Sequence, residues 1–413
     1  MNASNQRGAL SHIRVLDMSR VLAGPWAGQI FADLGADVIK IERPGSGDDT
    51  RGWGPPYLKD RDGNDTHEAA YFLAANRGKK SVALDIAKPE GQHLLRQLAA
   101  QSDVLLENYK AGDLARYGLG YEDLKAINPG LIYCSITGFG QTGPMCSVAG
   151  YDFIIQGIGG LMSITGERDD LPGGGPQKVG VAVADITTGL YSTIAVLAAL
   201  AHRTRTGEGQ YIDMALLDVQ VATIANMNMN YLISGKVPQR QGNAHANIVP
   251  YQVFAASDGE LVLAVGNDSQ FAKFCDAAGC PFSLDARFRR NADRVRNRAE
   301  LVPLLEDVLK QRTVAEWVAL LEPLGVPVGP INNLAQVFEH PQVVSRGMRI
   351  DLPHPLSGSV PQVASPIRMS ATPLQYSAAP PTLGQHTREV LRERLDLSEE
   401  ELERLAARGV VGS

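Results

Sequence analysis

The chain has 413 residues, 44% hydrophobic and 20% charged, with 42 glycines and 24 prolines. That is enough for two or three buried cores, and the composition excludes a disordered or fibrous protein. A net charge of −6 gives no general attraction to nucleic acid or an anionic membrane, so an anionic ligand needs a locally basic pocket. The four cysteines, Cys134, Cys146, Cys275 and Cys280, are too scattered for a disulfide scaffold and form no CxxC pair, which argues against zinc and for a reducing compartment. The opening MNASNQRGALSH is polar, without an apolar or Arg-rich address, so a cytoplasmic location is expected.

The first third alternates strand-like and helix-like segments, the signature of a parallel sheet with helices on its faces. Residues 13–18 read as a strand, Ala23-Gly24-Pro25 as a turn, 26–34 as a helix and 37–41 as the next strand. The stretch 43–65, rich in Gly, Pro and charge, is too long for a simple connector and reads as a ligand-covering loop. A second cycle follows: strand 81–85, helix 89–100 with Leu94, Leu95 and Leu98 inward, and strands 104–107 and 131–136.

The segment GVAVADITTGLY, residues 180–191, places one carboxylate, Asp185, where a strand-like run (Val181 to Ala184) meets a helical pattern. Ile186, Leu190, Ile194, Leu197 and Leu200 recur at helical spacing, as in a buried helix. Residues 186–201 fall short of a membrane span. Asp185 is thus expected at a helix N-terminus, where the macrodipole would keep it ionised and favour an oxyanion beside it; a plain N-cap is the structural alternative. The run Gly173-Gly174-Gly175 upstream suits a mobile cover or an ordinary loop.

Strand 210–214 follows, and the composition shifts near Pro238. A hairpin at 251–256 and 260–265, turning at Ser257-Asp258-Gly259, precedes helices at 270–278, 301–311 and 314–324. From Arg346 the chain is Pro-rich and extended, with helices at 387–394 and 398–407. The division expected is 1–225 as the N-terminal part of a large α/β domain, 240–335 as a small α+β domain, and 340–413 as a tail that returns to the large domain or wraps a partner.

The strand–turn–helix at the N-terminus invites a dinucleotide reading with Glu42 on a ribose, but AGPWAG at 23–28 lacks GxGxxG, and Pro25 removes an N–H. Cations instead cluster after predicted strand ends: Arg43, Arg51, Arg77, Lys79, Lys80, Lys110 and Arg116. Strand carboxyl ends are where open α/β sheets bind ligands, so their convergence points to an anionic ligand, although a solvated surface charge is the commoner state of any single Lys.

Several ordered segments resemble the class III CoA-transferases, the family of formyl-CoA transferase, carnitine CoA-transferase and α-methylacyl-CoA racemase. They are VLDMSRVLAGPWAGQIFADLGADVIKIERPGSGDDTRGWGPP, NRGKKSVALD, ENYKAGDLARYGL, NPGLIYCSITGFGQTGP, VGVAVADITTGLYSTIAVLAAL with RTGEGQYID, GNAHANIVPYQVF, VPVGPINN, HPQVVSRGM and LGQHTREVL. The resemblance implies an open Rossmann-like sheet built from both ends of the chain, an intertwined homodimer, and acyl-CoA and a small carboxylic acid as substrates, with no tightly bound cofactor or metal. It makes Asp185 the nucleophile. It places Val21, Leu22, Ala23, Arg43, Leu84, Asp85 and Ala87 around the adenine end of coenzyme A, Asn108, Tyr109, Lys110 and Arg116 along the phosphates, and Thr137 and Phe139 beside the pantetheine arm.

Ala87 and Thr137 stand where formyl-CoA transferase carries Lys, so other cations, Lys79 or Lys80 among them, would have to compensate. The racemase branch needs His and Asp as paired proton carriers. Here the corresponding segment is Gly150-Tyr151-Asp152, and a Tyr near pKa 10 is a poor neutral-pH substitute for His. Asp152 stands as a rescue carrier or a hydrogen-bonding Asp, His245 as an acyl-group contact or a loop residue, and His386 as a helix-flanking structural residue. The expected function is acyl-CoA:carboxylate CoA transfer, with a dicarboxylyl donor such as succinyl-CoA among the options the family offers. The alternatives are 2-methylacyl-CoA racemisation, NAD-dependent oxidoreduction and non-catalytic CoA binding.

Overall fold

The computed structural model describes residues 8–412, and the chain divides into two compact units. Among the described residues the first contains 8–161, Val179–Leu232 and 344–412; the second contains Met162–Lys178 and Ile233–Val343. The segment Met162–Lys178, placed by sequence within 1–225, therefore clusters with the smaller unit, and the Gly173-Gly174-Gly175 run goes with it.

At the centre of the first unit is a six-stranded parallel sheet. Its strands are β1 (Arg14–Asp17), β2 (Asp37–Glu42), β5 (Lys79–Ala83), β6 (Val104–Glu107), β7 (Ile132–Thr137) and β8 (Tyr211–Ala215), in the order β5-β2-β1-β6-β7-β8. A short hairpin of β3 (Tyr57–Lys59) and β4 (Asp65–Ala69) lies between β2 and β5 in sequence. Alternate side chains of each strand point to opposite faces, and apolar ones line both, while the buried polar residues Lys40, Glu42, Lys79 and Ser81 are bonded to other polar side chains. On one face Val15, Val38, Val104, Ile132, Cys134 and Ile136 pack with helices Ala23–Asp33 and Val183–Thr206. On the other, Leu16, Ile39, Val82 and Leu105 meet Leu94, Leu95 and Leu98 of helix Pro89–Ala100, joined by Val390, Leu391 and Leu402 from the two C-terminal helices.

The tail belongs to this unit. It forms an unforeseen hairpin, β12 (Arg349–His354) with β13 (Gly358–Val363), whose alternating burial covers Phe72 and Leu73. It then follows the β5 strand: His386 N–H donates to Ser81 C=O at 2.9 Å and Gly412 N–H to Ala83 C=O at 3.0 Å. His386 is thus the helix-flanking residue expected, its Nδ1 accepting from Ser81 N–H at 3.2 Å.

Two sequence assignments need correction. Residues 181–184 are not a strand: Val183 is the first residue of helix Val183–Thr206, with Ala182 as N-cap, so Asp185 lies in the first turn and is not the cap. Likewise Ala23-Gly24-Pro25 is no turn but the start of helix Ala23–Asp33, where Pro costs nothing because first-turn N–H groups have no helical partner. The turn lies one step earlier, and Gly24 permits it: a Cβ there would stand 2.3 Å from the Ser19 side chain.

The smaller unit has the antiparallel sheet β11-β10-β9, made of β9 (Tyr251–Ala255), β10 (Glu260–Ala264) and β11 (Val328–Pro330). Phe254, Leu261 and Leu263 of this sheet pack on Phe271, Phe274, Leu305 and Trp317 from helices Asp268–Ala278, Arg298–Leu309 and Val314–Leu321. His245 stays within this unit, 5.2 Å from the Tyr251 ring, with its Nδ1 accepting from Asn247 N–H.

Candidate active site

In the order β5-β2-β1-β6-β7-β8 the chain connections depart in opposite directions from β1 and β6, which opens a crevice at the carboxyl ends of these two strands. A cleft of about 310 Å³ lies there, lined by Arg20 to Ala23 after β1, Asn108 to Ala111 after β6, Ile136 to Gly138 at the end of β7, and Asp185. A second cleft of about 380 Å³ adjoins it, walled by Glu42, Arg43 and Ser46 to Asp49 after β2 and by Leu84 to Ala87 after β5. Arg20, Asp49 and Tyr109 line both.

The turn after β1 is held by side chains from three other points of the chain. Ser19 N–H donates to Asp17 Oδ1 at 3.0 Å, Arg20 N–H to Asn108 Oδ1 at 2.9 Å, and Val21 N–H to Asp48 Oδ1 at 3.2 Å. Asn108 Nδ2 returns a bond to Arg20 C=O at 2.7 Å. Fully buried Lys40 donates to Ser19 C=O at 2.7 Å and pairs with Asp48 at 2.9 Å. This clamp sustains an unfavourable backbone: Val21 has φ of +70°, a left-handed conformation costing a β-branched residue about 1–3 kcal/mol.

Asp185 is 8% exposed and faces the first cleft. The expectation that the helix N-terminus would keep it ionised is overturned, because those N–H groups are already engaged. Asp152, from helix Asp152–Ile158, caps the long helix from outside: its Oδ1 accepts from Ala184 N–H at 2.8 Å and Asp185 N–H at 3.4 Å, and its Oδ2 from Gln156 Nε2 at 2.7 Å. Burial, and then the negative charge of Asp152, push the Asp185 carboxyl up to about 7. Tyr71 is in the same field; burial first, then Asp185 and Asp152, raise its phenol to about 12. Nothing in the sequence pattern marked Tyr71.

Of the residues singled out from sequence, Val21, Leu22, Ala23, Asn108, Tyr109, Lys110, Thr137 and Asp185 line the first cleft, and Arg43, Leu84, Asp85, Ala87 and again Tyr109 line the second. Arg116 and Phe139 line neither. Arg116 is 72% exposed and paired with Asp113, while Phe139 packs on the core beneath the sheet. The other cations divide sharply. Arg51 is buried between Glu42 and Glu68, Arg77 is paired with Asp33, and Lys79 has no exposure, its Nζ bonded to Asp17, Pro25 C=O and Asn76. Lys79 therefore cannot replace a missing phosphate contact. Lys80, outside both clefts, faces Asp37 and Glu389. Glu42, the residue a dinucleotide would need on its ribose, is committed to Arg51 and Ser81. Arg20 was missed, although it follows β1 as Arg43 follows β2 and the same strand-end rule would have found it.

An α/β sheet with a buried carboxylate beside a switch-point crevice defines an enzyme-like ligand site. Its class is given by the comparisons: the profile of CoA-transferase family III matches residues 10–387. The chain is 52% identical over 390 residues to a succinate–glutarate CoA-transferase of Agrobacterium fabrum, covering 94% of this chain and 96% of that one. It is 43% identical over 403 residues to human succinyl-CoA:glutarate CoA-transferase, covering 97% and 90%. A crystal structure of a CAIB/BAIF family protein from Brucella suis is similar with a TM-score of 0.82 and 52% identity, over 94% of this chain and 100% of that one. The chain belongs to CoA-transferase family III and is a CoA-transferase.

Proposed function

We propose that this enzyme moves coenzyme A between a dicarboxylyl thioester of the succinyl-CoA type and a free dicarboxylic acid, with Asp185 as the nucleophile. The observation that carries this reading is a nearly buried carboxylate on the wall of a cleft whose other walls are the backbone after β1 and the cation-bearing loop after β6. The names of relatives such as the Agrobacterium and human enzymes supply the dicarboxylate class.

In the proposed sequence an Asp185 oxygen attacks the donor thioester carbon and the C–S bond breaks. An acyl–aspartyl anhydride and free CoA thiolate result. The thiolate attacks the aspartyl carbon of the anhydride, releasing the donor acid and leaving an aspartyl-CoA thioester. The acceptor carboxylate then attacks this thioester to form a second anhydride, and the returning thiolate attacks its acyl carbon, giving the new acyl-CoA and restoring the Asp185 carboxylate. Covalent catalysis divides an exchange between two acids into reversible steps of similar energy. Intact-mass analysis during turnover of succinyl-CoA should show an acyl or CoA adduct mapping to Asp185. Undiminished transfer by Asp185→Ala would refute the mechanism.

A homodimer is part of the same reading. The stripe Leu190, Ile194 and Leu197, expected to be buried, is 43%, 61% and 37% exposed in the single chain, next to exposed Phe153, Ile154 and Val221. An apolar stripe of this extent calls for a partner surface. Light scattering on the eluted protein should give twice the monomer mass of 44.3 kDa.

A further inference from the structure

With Lys79 buried against Asp17, the cations that line the two clefts among the described residues are Arg20, Arg43 and Lys110. One side chain stands where the two clefts meet. Arg20 lines both, and its side chain is 45% exposed. Its backbone is among the most firmly held in the site: Asn108 binds both its N–H and its C=O, and the neighbouring Val21 is held in a strained conformation by Asp48. The guanidinium therefore extends from a rigid stalk, 5.7 Å from the Tyr109 ring centroid, toward Asp49 at 2.9 Å.

We propose that Arg20 binds the diphosphate of the acyl-CoA, exchanging Asp49 for phosphate oxygens as the substrate enters. The inference rests on the reading of these clefts as the coenzyme A site. Three physical points support it. An ion pair with both partners half exposed contributes little and is readily given up. A guanidinium prefers a diphosphate because it offers two parallel N–H donors to adjacent anionic oxygens. The location also fits, since Arg43 stands in one cleft and Lys110 in the other, with Arg20 between them. A nucleotide in one cleft and a thioester near Asp185 in the other would place the linking phosphates beside it.

The test compares succinyl-CoA with succinyl-pantetheine, which lacks the diphosphate and nucleotide, using purified full-length enzyme and glutarate as acceptor. Arg20→Met should raise KM for succinyl-CoA about 10- to 100-fold, the range expected for a charge-assisted contact, and leave kcat/KM for succinyl-pantetheine within about twofold of wild type. Arg20→Lys should recover part of the loss. Asp49→Asn, which removes the competing carboxylate, should lower KM for succinyl-CoA about two- to fivefold, and the absence of a fall would reject the exchange.

Equal losses on both thioesters in Arg20→Met, or no loss on either, would overturn the assignment while leaving the cleft reading intact, provided wild type strongly prefers succinyl-CoA. A wild type indifferent to the diphosphate would overturn both.

Discussion

Asp152→Asn is the substitution that most directly probes the chemistry of Asp185. The amide keeps an oxygen to accept the N–H groups of Ala184 and Asp185, so the cap survives, while the negative charge beside Asp185 is removed. The rise of the Asp185 carboxyl from 3.8 to about 7 corresponds to about 4 kcal/mol favouring the neutral acid. Burial is the larger cause and Asp152 the smaller, so the charge supplies at most about 2 kcal/mol, or about 1.5 pH units. In the proposed mechanism transfer needs the ionised form. The acid limb of kcat/KM in wild type should therefore bend near pH 7, and in Asp152→Asn it should move down by up to about 1.5 pH units. The assay is succinyl-CoA to glutarate transfer from pH 4.5 to 9. A limb that stays in place, or moves upward, would show that Asp152 does not act on Asp185 electrostatically.

Other consequences concern stability. Because the folded carboxyl of Asp185 lies above its unfolded value, the native chain holds the extra proton between about pH 4 and 7, and stability falls as pH rises through that window. Asp185→Asn removes this dependence, so its stability relative to wild type should improve by up to about 4 kcal/mol between pH 4 and pH 8 in urea titrations; parallel curves at both pH values would contradict the raised carboxyl. Gly189→Ala should cost about 1–3 kcal/mol and raise KM for acyl-CoA, since its Cβ would stand 2.6 Å from the Ala23 carbonyl at the cleft wall. Lys79→Met should lower stability by about 3–5 kcal/mol by stranding buried Asp17. Adding Asp17→Leu should restore only part of this, because Ser19 N–H then loses its acceptor; no recovery at all would mean the stranded carboxylate is not the cause.

The strands of the central six-stranded sheet and the long helices packed on it were legible because apolar cores of strands alternate with helical periods, whereas the two hairpins and the short helices of this unit do not carry this pattern. The stretch at 181–185 misled because Val, Ala and Val suit a strand and a buried helical turn equally, and no Ser, Thr, Asn or Asp stands at Ala182 to announce a helix start. The cap comes from Asp152, about 30 residues away, and long-range capping leaves no local signal. The polar and small face of helix Val183–Thr206 turned inward for a similar reason: close approach to helix Ala23–Asp33 demands Gly189, so the greasy stripe was left outward.

By itself the sequence determined the family and the α/β class, since these depend on local periodicity and on ordered segments that survive without knowledge of contacts, and it singled out Asp185 as the candidate carboxylate. Only the tertiary structure decided which charges are available to a ligand. Arg51, Arg77 and Lys79 look no different in the chain from Arg20, Arg43 and Lys110, yet the first three are bonded to carboxylates in the interior and the others line the clefts. A cation's availability depends on which acid the fold brings to it, and those acids, Glu42, Asp33 and Asp17, reach their partners across strands and helices.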